Sequence, residues 1–228
     1  MHITEQSPFT PILPYSFHST AFDASQYQDD DYTYFNQSLP IKLQRAVAKR
    51  KAEYLAGRVC AAKAMAPLGI THFEVLSGED RAPIWPAKIC GAITHSKGIA
   101  MAMVTDAENV LGIGIDIEHY MADKQELELQ GQILREDENE AFAQLGQLHG
   151  KPLTLVFSAK ESIYKALYGQ VHRFFGFDAA RLIGCSENSL RFALTSSLHE
   201  TLPQGFEITV FYQYAHNMVL TECVHLRQ

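Results

Sequence analysis

The order of apolar and polar positions divides the chain into recognisable segments. Residues 1–17 mix aromatics with prolines (Pro8, Pro11, Pro14, Tyr15, Phe17) and suit short extended pieces, not helix. An acidic turn follows at Asp29, Asp30 and Asp31. From Pro40 to about Met65 the period becomes helical, with proline at the first turn and Gly69 as a stop. Leu43, Val47, Tyr54, Leu55, Val59 and Ala62 share a stripe that predicts the buried face, leaving Lys42, Arg45, Lys49 and Lys51 outside it. Residues 91–94 and 99–105 read as strands joined by a turn at Ser96, Lys97 and Gly98, and residues 110–118 read as another strand.

Residues 121–150 are charged and helical in part, with residues 135–140 a solvated acidic segment. Residues 158–168 predict a second strong helix, and short runs at 190–194 and 206–214 read as strands. There is no internal repeat and no low-complexity tract. Helix followed by strands occurs twice, which predicts an α+β chain of two similar halves.

Composition narrows the partners. The 228 residues are 46% hydrophobic and 20% charged, ordinary values for a soluble globular protein of one domain or two small ones. A formal charge of -7 argues against nucleic acid as the main partner, yet leaves room for a local basic patch that binds one small polyanion. The four scattered cysteines form no Cys-x-x-Cys pair, so a reduced, cytoplasmic chain is expected. The N-terminal stretch lacks the basic start and apolar run of a secretory signal, and no segment approaches the ~20 apolar residues of a membrane span.

Three stretches carry candidate chemistry. In residues 111–118, LGIGIDIE, alternation along a strand turns Ile113, Ile115 and Ile117 to the core. Asp116 and Glu118 then share the other face with Gly112 and Gly114, a seat for a hard divalent cation or simply an acidic strand end in solvent. The Gly-x-Gly is no dinucleotide fingerprint, because the third glycine is missing. In residues 157–167, FSAKESIYKAL, Glu161 and Lys165 are four apart on one helix face. They suit a metal carboxylate or base beside a phosphate ligand. They equally suit a plain surface ion pair, with Ser158 and Glu161 as a capping box. The third stretch is basic: Arg50 and Arg58 on the first helix, then Arg81 and Pro83, then Thr94 and His95 at a strand end, all plausible for phosphate or a satisfied surface.

Together these stretches are similar to the Sfp-type 4'-phosphopantetheinyl transferases, and most to the enterobactin synthetase component D branch. The resemblance rests on AEYLAGR at residues 52–58, RAPIWPA at 81–87, GAITHS at 91–96, GIDIE at 114–118 and FSAKESIYKA at 157–166. It implies a pseudo-dimer of two α+β halves, residues 1–110 and 111–228, with the active site in the cleft between them. It implies Mg2+ on Asp116, Glu118 and Glu161, and coenzyme A as co-substrate on Arg50, Arg58, Arg81, Pro83, Thr94, His95 and Lys165. Glu161, Lys165 and His95 take the catalytic roles. The implied reaction moves the phosphopantetheine arm to a serine of an apo acyl, peptidyl or aryl carrier protein, within siderophore or enterobactin biosynthesis, by a monomer with no nucleic-acid partner. Ile133, Leu134 and Phe142 are the apolar residues expected to meet the carrier. Two other readings compete: a silent module that binds coenzyme A or a carrier, and a magnesium nuclease.

Overall fold

The computed structural model describes residues 1–227, and the chain divides into two compact units. The first comprises Met1–Thr10 and Pro14–Ala107; the second takes everything from Glu108 onward together with Pro11–Leu13.

The first unit begins with β1 (Ile3–Glu5) and β2 (Ser16–Phe22), followed by the single-turn α1 (Asp31–Tyr34) and the long α2 (Ala48–Met65). A two-residue ribbon, β3 (Leu76–Ser77) and β4 (Pro83–Ile84), precedes β5 (Cys90–Ser96) and β6 (Ile99–Thr105). The main sheet is antiparallel in the order β1-β2-β6-β5. Lys97 and Gly98 form the β5–β6 turn with φ of 37° and 89°, the left-handed pair that matches hairpin twist.

Helix α2 lies across β2, β5 and β6 on a broad face of small residues: Ala52, Ala56, Cys60, Ala61 and Ala64. The expected stripe is corrected at two positions. Val47 is exposed, whereas Lys51 is buried and pairs with Asp29 at 3.0 Å. The helix starts at Ala48, after a lone 3-10 turn at Ile41–Leu43 and an extended Val47 (ψ 151°), so residues before it do not share its phase.

The second unit opens with β7 (Val110–His119), followed by α3 (Asp123–Ile133), α4 (Asn139–Leu148) and α5 (Pro152–Val171). Four strands complete it: β8 (Ala180–Cys185), β9 (Ser189–Leu194), β10 (Glu207–Ala215) and β11 (Met218–Leu226). They form one antiparallel sheet in the order β7-β11-β10-β9-β8, and α5 lies across β7 and β11. Both units are therefore helix-on-sheet layers of the α+β class. They also share a connection: the strand before the long helix pairs with the last strand of its unit, β2 with β6 and β7 with β11. Pro11–Leu13 joins the second unit through the buried Glu222 carboxylate, which accepts from the backbone N–H groups of Ile12 (3.0 and 3.1 Å) and Leu13 (3.0 Å).

Three expectations fail in this unit. Helix α5 starts at Pro152, a residue favoured in a first turn, so Ser158 is interior and buried and cannot be a cap. The acidic segment is not uniformly solvated, because Glu138 is 0% exposed. Ile133 is buried and cannot meet a carrier, whereas Leu134 and Phe142 are half-buried and pack against the core.

Helix α5 approaches β7 closely enough to exclude side chains at two strand positions. A Cβ on Gly114 would stand 1.8 Å from the Ser162 carbonyl oxygen, and one on Gly112 would stand 1.9 Å from that of Ala166. The glycines therefore serve contact with the helix backbone, not a roomy cation seat. Gly114→Ala should lower stability by about 3 kcal/mol or more, as overpacked cores do. Gly131→Ala, in α3 with nothing within 4 Å, should raise it by roughly 0.5–1 kcal/mol through helix propensity. Urea unfolding of both variants against the parent checks the pair.

Candidate functional site

Tight packing of α5 on β7 brings two sequence motifs together. Asp116 and Glu118 alternate onto the same face of β7 as Gly112 and Gly114, the face that α5 covers. The Lys165 ammonium donates to the Asp116 carboxylate (Oδ1, 2.8 Å) and to the Ile115 carbonyl (2.9 Å). The cation thus pairs with the strand carboxylate and not with Glu161 four residues earlier, which corrects the surface-pair reading of α5. Ser158 donates to the other Asp116 oxygen at 2.9 Å. Thr221 of β11, opposite Asp116 in register, lies 2.9 Å from the Ser158 hydroxyl and 2.7 Å from that of Ser162. These four side chains form a buried polar network that fixes the carboxylate.

Glu161 stands beside that network, half-buried. Burial raises its pKa above the ordinary carboxylate value, the Asp116 charge adds to the rise, and Lys165 opposes it. One ammonium thus faces at least two carboxylates. Among the described residues, no three His, Cys, Asp or Glu side chains gather closely enough to hold a metal by themselves. The donor chemistry still fits magnesium, which takes hard oxygen ligands and commonly one or two carboxylates, leaving positions for water and substrate phosphate. Such a cation would add positive charge beside Asp116 and Glu161.

An apolar pocket opens next to Glu161. It is lined by Lys160, Glu161, Ile163 and Tyr164 of α5, by Phe174, Phe175, Gly176 and Phe177, and by Ala180 of β8. Lys160 itself belongs to a buried ion pair that sequence reasoning missed. Its ammonium donates to Glu138 and to the Ile133 carbonyl, both at 2.8 Å, with the two side chains 1% and 0% exposed. Burial pushes the Lys160 pKa down and Glu138 opposes that.

In the first unit the basic candidates separate into distinct environments. Arg58 is buried, its guanidinium 4.2 Å over the Tyr54 ring and donating to Ser77 at 2.8 Å. Its Nε is buried with no hydrogen-bond partner, and among the described residues no carboxylate lies within ion-pair distance of it. Burial accordingly lowers its pKa. A desolvated cation with no acid beside it is a strong anion seat. Arg50 is exposed, with Nη1 3.2 Å from His95 Nε2 and 3.9 Å from Glu53. Thr94 is buried on β5 next to His95. Arg81 sits exposed in the β3–β4 turn at φ 72°, and Pro83 opens β4. Tyr54 and Ser77 were not anticipated. Tyr54 precedes Arg58 by one helical turn, a spacing that signals stacking, whereas Ser77 carried no signal.

Comparison with known proteins agrees with this division. Residues 39–105 match the family model described as the 4'-phosphopantetheinyl transferase N-terminal domain, and residues 112–217 match the 4'-phosphopantetheinyl transferase superfamily. Enterobactin synthase component D of Escherichia coli strain K12 is 31% identical over 215 residues, which is 94% of this chain and 96% of that protein. The same component from Salmonella typhimurium is 30% identical over 209 residues, 92% and 86% of the two chains. The 4'-phosphopantetheinyl transferase Npt of Nocardia iowensis is 33% identical over 140 residues, 61% of this chain and 62% of its own.

The network around Asp116 can be tested without reference to activity. Thr221→Val keeps the shape and removes the hydroxyl that joins Ser158 to Ser162, so it should cost about 1–3 kcal/mol. Thermal and urea unfolding check this, and a neutral substitution would refute the network's importance.

Proposed function

Since the chain belongs to the 4'-phosphopantetheinyl transferase family, we propose that it moves the 4'-phosphopantetheine arm of coenzyme A to a serine of an apo carrier protein, releasing 3',5'-ADP. The observation that carries this reading is the meeting of Asp116, Glu161 and Lys165 from two separate motifs through the α5–β7 contact. The relatives named enterobactin synthase component D support a carrier within enterobactin-type synthesis as the acceptor. A monomeric, cytoplasmic enzyme is the simplest form. Among the described residues, no helix is long and apolar enough to cross a membrane.

In this proposal the first unit holds the nucleotide end of coenzyme A and the second acts on its diphosphate. Arg58, backed by Tyr54 and Ser77, takes the 3'-phosphate together with Arg50. Arg81, Pro83 and Thr94 complete the nucleotide contacts. Asp116, Glu118 and Glu161 would hold magnesium, which when bound supplies neutralisation of charge on the diphosphate oxygens. Lys165 and His95 orient the remaining oxygens, so that positioning supplies much of the rate. The serine oxygen forms a bond to the β-phosphorus, and the bond from that phosphorus to the bridging oxygen breaks. The electron pair leaves on the nucleotide phosphate. Glu161 receives the serine proton, directly or through a water.

Two measurements test the assignments. Glu161→Gln should retain coenzyme A affinity while its turnover, read by mass spectrometry of an apo-carrier with magnesium present, drops by roughly 10²-fold or more, as for loss of a general base. Undiminished turnover removes Glu161 from that role. Arg58→Met should weaken coenzyme A by about 10–100-fold, the scale of a charge-assisted phosphate contact, and leave dephospho-coenzyme A within about twofold. Equal losses for both ligands in calorimetry refute the 3'-phosphate assignment.

A further inference from the structure

The buried Lys160–Glu138 pair stands one residue from Glu161 and touches neither the polar network of Asp116 nor any group assigned above. Four hydrogen bonds converge on it. Lys160 donates to Ile133 at the end of α3 and to Glu138, both at 2.8 Å. Glu138 accepts from the backbone N–H of Arg135 at 2.8 Å and from that of Leu182 in β8 at 2.7 Å. The pair therefore pins α5 to α3 and to β8 at the level of Glu161.

Stability alone does not explain such a pair. Two charges removed from water recover little beyond what two well-packed apolar side chains would give, because desolvation offsets their attraction. Hydrogen bonds add direction: apolar contacts tolerate sliding along and about the helix axis, whereas donors and acceptors at 2.7–2.8 Å do not. The elements held in register are those that wall the pocket beside Glu161, since Lys160 and Ala180 both line it. A misplacement of about 1 Å at a reacting group can lower a rate by about 10²-fold.

From this geometry we infer that Lys160, through Glu138, is a positioning residue for the transfer reaction: it fixes the turn of α5 that carries Glu161 against β8 and the end of α3. The inference rests on the transferase reading and deepens it. Lys160 does not touch substrate in this role. Its loss acts on the rate more than on coenzyme A capture, because the nucleotide contacts proposed above lie in the first unit.

The test compares Lys160→Met and Glu138→Gln with Leu190→Ala, a core variant in β9 that is destabilised away from the pair. Each is assayed with coenzyme A, magnesium and an apo siderophore carrier domain, at a temperature where unfolding curves show all proteins folded. Both pair variants should turn over roughly tenfold or more slowly than the parent at saturating substrate, with KM for coenzyme A within about twofold of the parental one. Leu190→Ala should keep the parental kcat despite a comparable loss of Tm, and Lys160→Arg should recover part of the rate. Glu138→Gln preserves an acceptor for Leu182 and supplies the folded variant if Lys160→Met is lost to aggregation. Pair variants with parental kcat, or a Leu190→Ala variant that loses rate in equal measure, overturn the inference. A parent that modifies no carrier defeats the transferase reading first and this inference with it.

Discussion

The second unit is organised by the distance at which helix α5 can lie on strand β7. Carbonyl oxygens of Ser162 and Ala166 occupy the space where side chains at Gly114 and Gly112 would begin. Only because those side chains are missing does Lys165 reach Asp116 and Ile115, and only then do Ser158 and Thr221 meet around the same carboxylate. The glycines, the small residues of the helix face and the charged pair are one solution to one packing problem. Backbone proximity comes first, and the electrostatics follow from it.

Charge is the second theme, and it has opposite signs in the two units. In the second, carboxylates outnumber the ammonium that faces them, and Glu161 is held above its ordinary pKa by burial and by Asp116. In the first, Arg58 is buried with aromatic and hydroxyl company but, among the described residues, no acid beside it. Each imbalance is costly in the free protein and becomes favourable when a ligand of the complementary charge arrives. The proposed metal and phosphate contacts would each fill one of these two deficits.

Much of this was legible in the residues. The strands at 91–94, 99–105 and 110–118 and the helix at 158–168 were found, because each has a clear period and a recognisable turn or boundary. Strands β8 and β11 were not. β11 is buried along most of its length and carries Thr221, Glu222 and His225 within the apolar run, so it shows no alternation. The start of α5 was misplaced because Ser158 and Glu161 imitate a cap, while the real first turn carries only Pro152 as a signal. Asp116, Glu161 and Lys165 were named from spacing, but Lys160 and Glu138 were not. A buried ion pair between residues 22 apart in sequence leaves no periodic trace, and Glu138 sits in a run of acids that reads as solvent-facing.

The pairing of β7 with β11 has a consequence for how the protein is made. Asp116 lies on the first strand of its unit, and Thr221, its neighbour across the ladder, lies on the last. Every residue between His119 and Met218 must be synthesised before that ladder can close. Such long-range pairing delays folding, since the intervening chain loses its freedom before the contact rewards it. A nascent chain on the ribosome therefore carries β7 with no partner strand for much of its synthesis, and Thr221 joins the network around Asp116 only as the final strand emerges.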